Sequence, residues 1–387
     1  MQFLATSAFG LEAVVSRELK QLGYHDQTIT DGRVRFVADE SAIARCNLWL
    51  RSADRLLIEI GRFPAVDFGQ LFDRTTAIPW DEWIPRDASF PVRGRSVRSQ
   101  LHSVPDCQAI VKKAIVERLK KRYRCEWFDE TGPEYGVDVS LLQDEAVLTL
   151  DTTGPGLHKR GYRTLATAAP LKETLAAGLI QLSYWNRNRP LIDPCCGSGT
   201  ILIEAAWIAR NRAPGLMRSF SAEKWSNRPS PIWDEARAEA NDLLQPPADE
   251  PIIGYDIDAR VLGLARQHAE QAAVAGDIHF QQQELSQLST RRTYGCVIVN
   301  PPYGERMGDD RTAEEIALTM RQTFASLDTW SLYVLTADSL FEKRFGRQAT
   351  RRRKLFNGQI ACTYYQFVGP RPPRQSETAD EGRGVSG

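Results

Sequence analysis

The sequence predicts two kinds of domain in one chain: a C-terminal α/β domain on a mostly parallel sheet closed by a β-hairpin, and smaller α+β units before it. Three observations predict this. At 191–206 an apolar strand end passes through a glycine-rich turn into an amphipathic helix. Further short apolar strands at 252–258, 278–280, 296–299 and 332–335 have helical periodicity between them, as parallel strands joined by crossovers require. An Asn357-Gly358 turn between two strand-like runs at 355–360 reads as a hairpin.

From the N-terminus, 3–6 reads as a strand, and Leu11, Val14, Val15, Leu19 and Leu22 recur at helical spacing up to Gly23. Asp31-Gly32 supplies turn chemistry before Val34 and Phe36, 41–50 reads as a helix, and 55–63 alternates as a strand. This βαββαβ order predicts a ferredoxin-like unit over 1–63. From 68 to 151 the order is helix, strand, helix, strand pair. The strand at 89–97 carries Arg93 and Arg95. Pro105 starts a helix whose apolar stripe is Ile110, Ala114, Ile115 and Leu119 and which bears Lys112, Lys113, Arg118, Lys120, Lys121, Arg122 and Arg124. Between 86 and 124 eleven bases stand against three acids, an excess of eight, the footprint expected of a phosphate-binding face.

Composition sets the outer bounds. The chain has 387 residues, 42% hydrophobic and 25% charged, enough for two or three cores. Its 49 Lys+Arg and 49 Asp+Glu cancel, so the total argues against a polyanionic partner while the local basic window argues for one. No apolar run nears the roughly 20 residues of a membrane span and no basic leader opens the chain, so a cytoplasmic protein with no membrane partner is expected. Seven cysteines without a Cys-x-x-Cys pair or a His at ligand spacing predict reduced thiols and no metal.

The chemistry is concentrated after residue 155. A loop with Lys159, Arg160, Gly161 and Arg163 leads to a helix marked by Leu171, Leu175, Leu179 and Leu182. In the turn Gly197-Ser198-Gly199 a ligand can lie against backbone that carries no Cβ. There is no Gly-Lys-Ser/Thr, which excludes a P-loop, and Leu202 takes the place of the third glycine of a dinucleotide fingerprint. Asp193 with Gly197 and Gly199 therefore suits a ligand with a charged amino-acid moiety and no pyrophosphate. Asp256 is placed to accept from ribose hydroxyls, with Asp258 as second choice or as the cap of a helix closed by Gly276. Residues 213–250, with Pro214, Arg218, Trp225, Arg228 and Trp233, form an insertion that reads equally as a substrate-facing loop or as a packing lid. At Gln283-Glu284 an amide or acid could accept from an adenine amino group.

The strand at 296–299 ends in Asn300-Pro301-Pro302-Tyr303. An exocyclic base amine is a poor nucleophile because its lone pair is delocalised into the ring. Accepting its hydrogens on the Asn300 side-chain carbonyl and the Pro301 backbone carbonyl steers the nitrogen toward tetrahedral geometry, and Tyr303 can stack on a base flipped from its pair. A second basic cluster comprises Lys343, Arg344, Arg347, Arg351, Arg352, Arg353 and Lys354. The Pro-, Arg-, Ser- and Gly-rich tail at 370–387 reads as disordered.

The run at 193–206 with Asn300-Pro301-Pro302-Tyr303 resembles class I S-adenosylmethionine-dependent methyltransferases acting on exocyclic amines. His158-Lys159-Arg160-Gly161-Tyr162-Arg163, Ala169-Pro170-Leu171-Lys172-Glu173-Thr174, Arg212-Ala213-Pro214-Gly215-Leu216 and Gly304-Glu305-Arg306-Met307-Gly308 are similar to the THUMP-domain branch, above all to its guanine-N2 methyltransferases of large-subunit rRNA. The resemblance implies a ferredoxin-like domain (1–63), a THUMP RNA-binding domain (64–155) and a Rossmann-like methyltransferase domain (156–369, insertion 213–250). It implies S-adenosylmethionine as cofactor and S-adenosylhomocysteine as product, bound by Asp193, Cys195, Gly197, Ser198, Gly199, Thr200, Asp256, Ile257, Glu284 and Asn300. Catalysis falls to Asn300, Pro301, Pro302 and Tyr303, without metal. RNA, 23S rRNA or a large-subunit precursor, is expected on Arg93, Arg95, Lys112, Lys113, Lys120, Lys121, Arg122, Arg351, Arg352 and Arg353. Longer bacterial members carry a second methyltransferase domain beyond this point, so any second modification is expected elsewhere; Glu284 stands where an aspartate is common. A tRNA guanine-N2 enzyme, an adenine-N6 enzyme and a non-catalytic assembly factor are the alternative readings.

Overall fold

A computed structural model describes residues 1–163, 171–227, 231–302 and 310–373. Strand β1 (Gln2–Ser7), helix α1 (Glu12–Gln21), β2 (Gln27–Thr30), β3 (Arg33–Val37), α2 (Ala42–Trp49) and β4 (Ala53–Pro64) follow the expected βαββαβ order. Helix α1 buries Val14, Val15 and Leu19 and ends at Gly23, whose φ of +95° lets its N–H return to the Lys20 carbonyl. Then come α3 (Phe68–Ala77), β5 (Val92–Val97), α4 (Val104–Tyr123), β6 (Gly136–Leu142) and β7 (Glu145–Asp151). The seven strands make one sheet in the order β2-β3-β1-β4-β7-β6-β5, antiparallel except for β5 with β6. Strand β4 pairs with β1 on one edge and with β7 on the other, so the division expected near residue 63 is crossed by a continuous hydrogen-bond ladder.

The C-terminal domain comprises α5 (Glu173–Leu182), β8 (Leu191–Asp193), α6 (Thr200–Ala209), α7 (Pro231–Asp242), β9 (Ile252–Asp256), α8 (Ala259–Gln271), β10 (Ile278–Gln282), β11 (Cys296–Val299), α9 (Asp310–Phe324), β12 (Ser331–Thr336), α10 (Phe341–Phe345), β13 (Arg351–Asn357) and β14 (Ile360–Phe367). Its sheet order is β10-β9-β8-β11-β12-β14-β13. The first five strands are parallel and the last two form the expected antiparallel hairpin around Gly358 at φ +66°. Strands β8, β11 and β12 are buried at every residue, which is why they read as unbroken apolar runs. Chain order reverses on either side of β8, and open α/β sheets bind ligands at such a point. One expectation is corrected: α8 is capped at Ala272, Ala273 takes the left-handed conformation (φ +57°), and Gly276 sits in the following 3-10 turn.

The described part of the insertion is a strap across the two halves, which decides for packing against the substrate-facing loop. Phe220, Trp225 and Trp233 belong to the N-terminal core. Trp225 stacks on Tyr135 at 4.6 Å and donates its indole N–H to the Glu134 carbonyl at 2.9 Å. Asn227 donates to the Trp83 carbonyl, Gly215 N–H to the Leu48 carbonyl, and Arg45 of α2 pairs with Glu239 of α7 at 2.8 Å. Arg228 lies outside the described residues. All seven cysteines are free thiols.

A buried ion pair reinforces the junction. Arg160 and Glu204 of α6, their side chains 1% and 0% exposed, meet at 3.3 Å, and Arg160 also donates to the carbonyls of Leu157 and Arg51. Removing one partner strands a charge in the interior. Arg160→Ala is expected to lower unfolding free energy by about 3–5 kcal/mol in urea denaturation, whereas Arg160→Met with Glu204→Leu is expected to recover most of that loss.

Candidate cofactor and base site

Strands β8, β9 and β11 bring their carboxyl ends together around a cavity of about 870 Å³. Asp193, Cys195, Gly197, Ser198, Thr200, Asp256, Ile257, Glu284, Asn300 and Pro302 line it, so most of the sequence-derived site converges on one space. Tyr303 and 304–308 lie outside the described residues, as do Ala169, Pro170 and 374–387.

The turn after β8 is held from below and left bare above. Gly197 (φ +53°) donates its N–H to Asp256 Oδ2 at 2.9 Å, while Asp256 Oδ1 accepts from Asp258 N–H at 3.0 Å. Each oxygen keeps lone-pair capacity for a ligand hydroxyl. Asp258 does not share this role: it caps α8 by accepting from Arg260 N–H and pairs with the Arg260 guanidinium at 3.1 Å. A Cβ on Gly197 would meet nothing within 4 Å, whereas one on Gly199 (φ +81°) would come within 3.1 Å of Phe280 and 3.3 Å of Ala265. The two glycines thus divide the work. Gly197 leaves room over the turn; Gly199, absent from the cavity wall, lets α6 close on the sheet.

Asp193 is almost wholly buried at the end of β8. Burial pushes its carboxyl well above the usual carboxylate range; the Cys195 N–H, 3.2 Å from Oδ1, opposes this and the nearby Asp256 charge adds to it. The side-chain oxygen of Asn300, at the end of β11, is buried without a hydrogen-bond partner among the described residues. Glu284 lies exposed on the rim and accepts from Ser286 Oγ at 3.3 Å. Thr200 Oγ1 accepts from Arg163 at 2.5 Å, and Arg163 pairs with Glu173 at 3.1 Å. Sequence reasoning missed His268, fully buried behind the turn with Nδ1 3.3 Å from the Ser198 carbonyl, its imidazole pKa lowered chiefly by burial. It also missed Glu315, Ile316 and Thr319, which α9 adds to the cavity wall. Among the described residues no group of three His, Cys, Asp or Glu is placed to hold a metal, and no helix is long and apolar enough to cross a membrane.

The basic window is less free than its count. Arg93 pairs with Glu134 at 3.2 Å and lies 3.6 Å from Asp151; Arg95 is held on Ser140. Lys112 pairs with Glu130 at 2.5 Å over the Phe90 ring, Lys120 with Glu126 at 3.1 Å, and Arg122 with Asp81 at 3.4 Å. All of these acids fall outside 86–124; between 81 and 134 eleven bases stand against nine acids. Lys113 and Lys121 remain exposed. In the second cluster Arg351 is exposed and Arg352 pairs with Glu342 at 2.7 Å. Arg353 donates through one guanidinium nitrogen to the Gly10 carbonyl at 2.9 Å, so it serves the domain junction.

A model of the RMKL-like methyltransferase domain matches residues 160–366, more than half of the chain. The chain belongs to the RMKL-like methyltransferases. Models of the RlmL ferredoxin-like domain and of the THUMP domain match 2–57 and 65–151. The Bacillus subtilis protein YpsC is 47% identical over 377 residues, covering 97% of this chain and 98% of its own. The ribosomal RNA large subunit methyltransferase K/L of Photobacterium profundum is 36% identical over 380 residues, and there the chain spans 53% of the relative's length. The structure of SMU.472 complexed with SAH superposes with a TM-score of 0.91 at 42% identity, covering 96% of this chain and 99% of that one. The structure of a predicted N6-adenine-specific DNA methylase from Listeria monocytogenes superposes with a TM-score of 0.90 at 49% identity, over 95% and 96%. The cofactor is S-adenosylmethionine, and the bare Gly197, the Asp256 carboxylate and the buried acid Asp193 suit it.

The two glycines are separable by experiment. Gly197→Ala is expected to cost about 1–2 kcal/mol of stability from its left-handed backbone and to abolish S-adenosylhomocysteine binding in calorimetry. Gly199→Ala adds a steric clash and is expected to lower the melting temperature further. Unchanged affinity in Gly197→Ala would mean that no ligand lies over the turn.

Proposed function

We propose that this methyltransferase transfers a methyl group from S-adenosylmethionine to the exocyclic N2 amine of a guanosine in 23S rRNA, with the THUMP half holding the RNA. The observation that carries this reading is Asn300. A buried carbonyl oxygen without a donor costs about 1–3 kcal/mol, and it stands beside the cofactor turn on the neighbouring strand. A base amine supplies the missing donor.

Asn300 Oδ1 and the Pro301 carbonyl accept the two amine hydrogens and aim the nitrogen lone pair. Pro302 fixes the turn and lines the cavity, and Tyr303 is assigned to stack on the base. When bound, S-adenosylmethionine supplies an electrophilic methyl group and a neutral thioether leaving group. Asn300 and Pro301 would hold the amine with its lone pair toward that methyl carbon for in-line transfer, the departing thioether would keep the C–S bonding pair, and the surplus proton would pass to water. Asp193 is assigned to the cofactor's ammonium, Asp256 to its ribose hydroxyls, and Glu284 to its adenine amino group; Cys195, Ser198, Thr200 and Ile257 line the same space. The same Asn-Pro-Pro-Tyr suits an adenine N6 amine, the group named for the Listeria relative, whereas the ribosomal RNA named for the K/L relatives favours RNA.

Nucleoside mass spectrometry of rRNA and tRNA fractions from a strain lacking the protein is expected to show loss of N2-methylguanosine from 23S rRNA alone; loss of N6-methyladenosine would select the second reading. Asn300→Ala is expected to lower kcat about 100-fold or more while S-adenosylhomocysteine affinity holds.

Asp193 carries a pH signature. Its raised carboxyl favours the folded protein below the ordinary carboxylate range, and that contribution is lost as pH rises through the raised value. A cationic ammonium binds the ionised form, so cofactor binding is expected to release a proton and to tighten as pH rises toward that value. Calorimetry in buffers of different ionisation enthalpy measures the release, and Asp193→Asn is expected to abolish it.

A further inference from the structure

The two most exposed large apolar side chains among the described residues are Trp127, at 79%, and Ile257, at 65%. The cofactor cavity accounts for Ile257, which lines it. Nothing in the fold accounts for Trp127. Six other tryptophans, 80, 185, 207, 225, 233 and 330, are buried, so an indole left in water is out of keeping with the rest of this chain.

The loop that carries Trp127 is pinned on both sides. Arg124 caps α4 in the left-handed conformation (φ +51°), its N–H returning to the Lys120 carbonyl at 2.9 Å. Phe128 is buried edge-on against Phe90 and Tyr123, with ring centroids 6.2 and 6.3 Å away. Lys120 then closes the loop onto Glu126. With its neighbour Phe128 turned into the core, Trp127 is held outward by a fixed backbone, beside the exposed Lys121, Arg122 and Arg124 at the end of α4.

We infer that Trp127 is a stacking platform for a base of single-stranded RNA, whose backbone follows the cations at the end of α4. This rests on the RNA reading above and adds to it the strandedness of the RNA at this point. A base offers a flat face to the indole, polar edges to water and an anionic backbone to Lys121 and Arg124, neither of which has a carboxylate partner among the described residues. A protein partner would need a contiguous apolar patch, and here Trp127 stands between Glu126 and Phe128 with Arg124 and Asp129 exposed nearby. Helix α4 packs on β5 at the outer edge of the first sheet, whereas the cofactor cavity lies at the carboxyl ends of β8, β9 and β11 in the second, and no residue of α4 or of its loop lines that cavity. Trp127 is therefore a positioning residue for a remote segment of the RNA.

The full chain, Trp127→Phe and Trp127→Ala are compared in binding a fluorescein-labelled single-stranded oligoribonucleotide and an RNA duplex of equal length. Stacking worth about 1–3 kcal/mol predicts a loss of about 5- to 150-fold for Trp127→Ala on the single strand. Trp127→Phe is expected to keep most of the affinity, the duplex to be indifferent, and the melting temperature to stay unchanged. Equal binding of the single strand by Trp127→Ala overturns the inference, as does an equal loss on the duplex. Trp127-dependent binding to anionic phospholipid vesicles, with RNA binding unaffected, overturns it in favour of a membrane contact. Failure of the unaltered chain to bind either RNA refutes the RNA reading itself.

Discussion

Strand β8 is only three residues long and is flanked on both edges by parallel neighbours, so the chain leaving Asp193 must turn at once above the sheet with its amide groups unshared. Everything at the site follows from how that turn is satisfied. Asp256, reaching from the end of β9, takes the Gly197 N–H; Tyr255 takes the Cys196 N–H through its carbonyl; Cys195 N–H returns to Asp193. The underside is thereby saturated and the upper side left to a ligand. Below, Gly199 and Gly254 let α6 and Phe280 close on the sheet, since a Cβ on Gly254 would lie 2.5 Å from Leu202 and 2.8 Å from Phe280. Close packing beneath and an open approach above are two faces of one requirement.

Charge obeys the same logic of placement. A net charge of zero gave no hint of a polyanionic partner, and a window of eleven bases overstated one, because both counted residues without their neighbours in space. Folding brings Asp81, Glu126, Glu130 and Glu134 onto the arginines and lysines of β5 and α4. An exposed pair of this kind is worth little to stability, yet it lowers the field that a phosphate backbone would feel. What remains is a few unpaired cations at the end of α4, and there the shape of the surface matters more than its charge.

Much of this was legible in the linear sequence, for definite reasons. Buried parallel strands announce themselves as apolar runs, and the acids, glycines and Asn-Pro-Pro-Tyr at their ends are local motifs whose spacing survives folding. The role of the insertion was not legible, because Trp225 and Trp233 look alike whether they meet a substrate or Tyr135 and Phe220. Gly199 and Gly197 are equivalent in the sequence and distinct only once Phe280 and Ala265 stand beside one of them. The α9 wall of the cavity had no signal either, since Glu315, Ile316 and Thr319 read as an ordinary helix. The continuity of one sheet across the division at residue 63 was not legible either, because a twelve-residue strand serves two partners and no composition shift marks where one ends.

The sharing of β4 also bears on how the two halves cooperate. On the proposed reading, the sheet that holds RNA must keep its bearing on the sheet that holds the cofactor, since displacing reacting atoms by about 1 Å can cost about 100-fold in rate. Three contacts of different kinds enforce this. The Arg160–Glu204 pair ties α6, which begins at the glycine turn, to the Arg51 carbonyl between α2 and β4. The aromatic strap crosses from the C-terminal domain into the N-terminal core, and Gly10 fits so tightly on β13 that a Cβ would lie 2.5 Å from the Lys354 carbonyl. A hinge at one of these places would be locked by the other two.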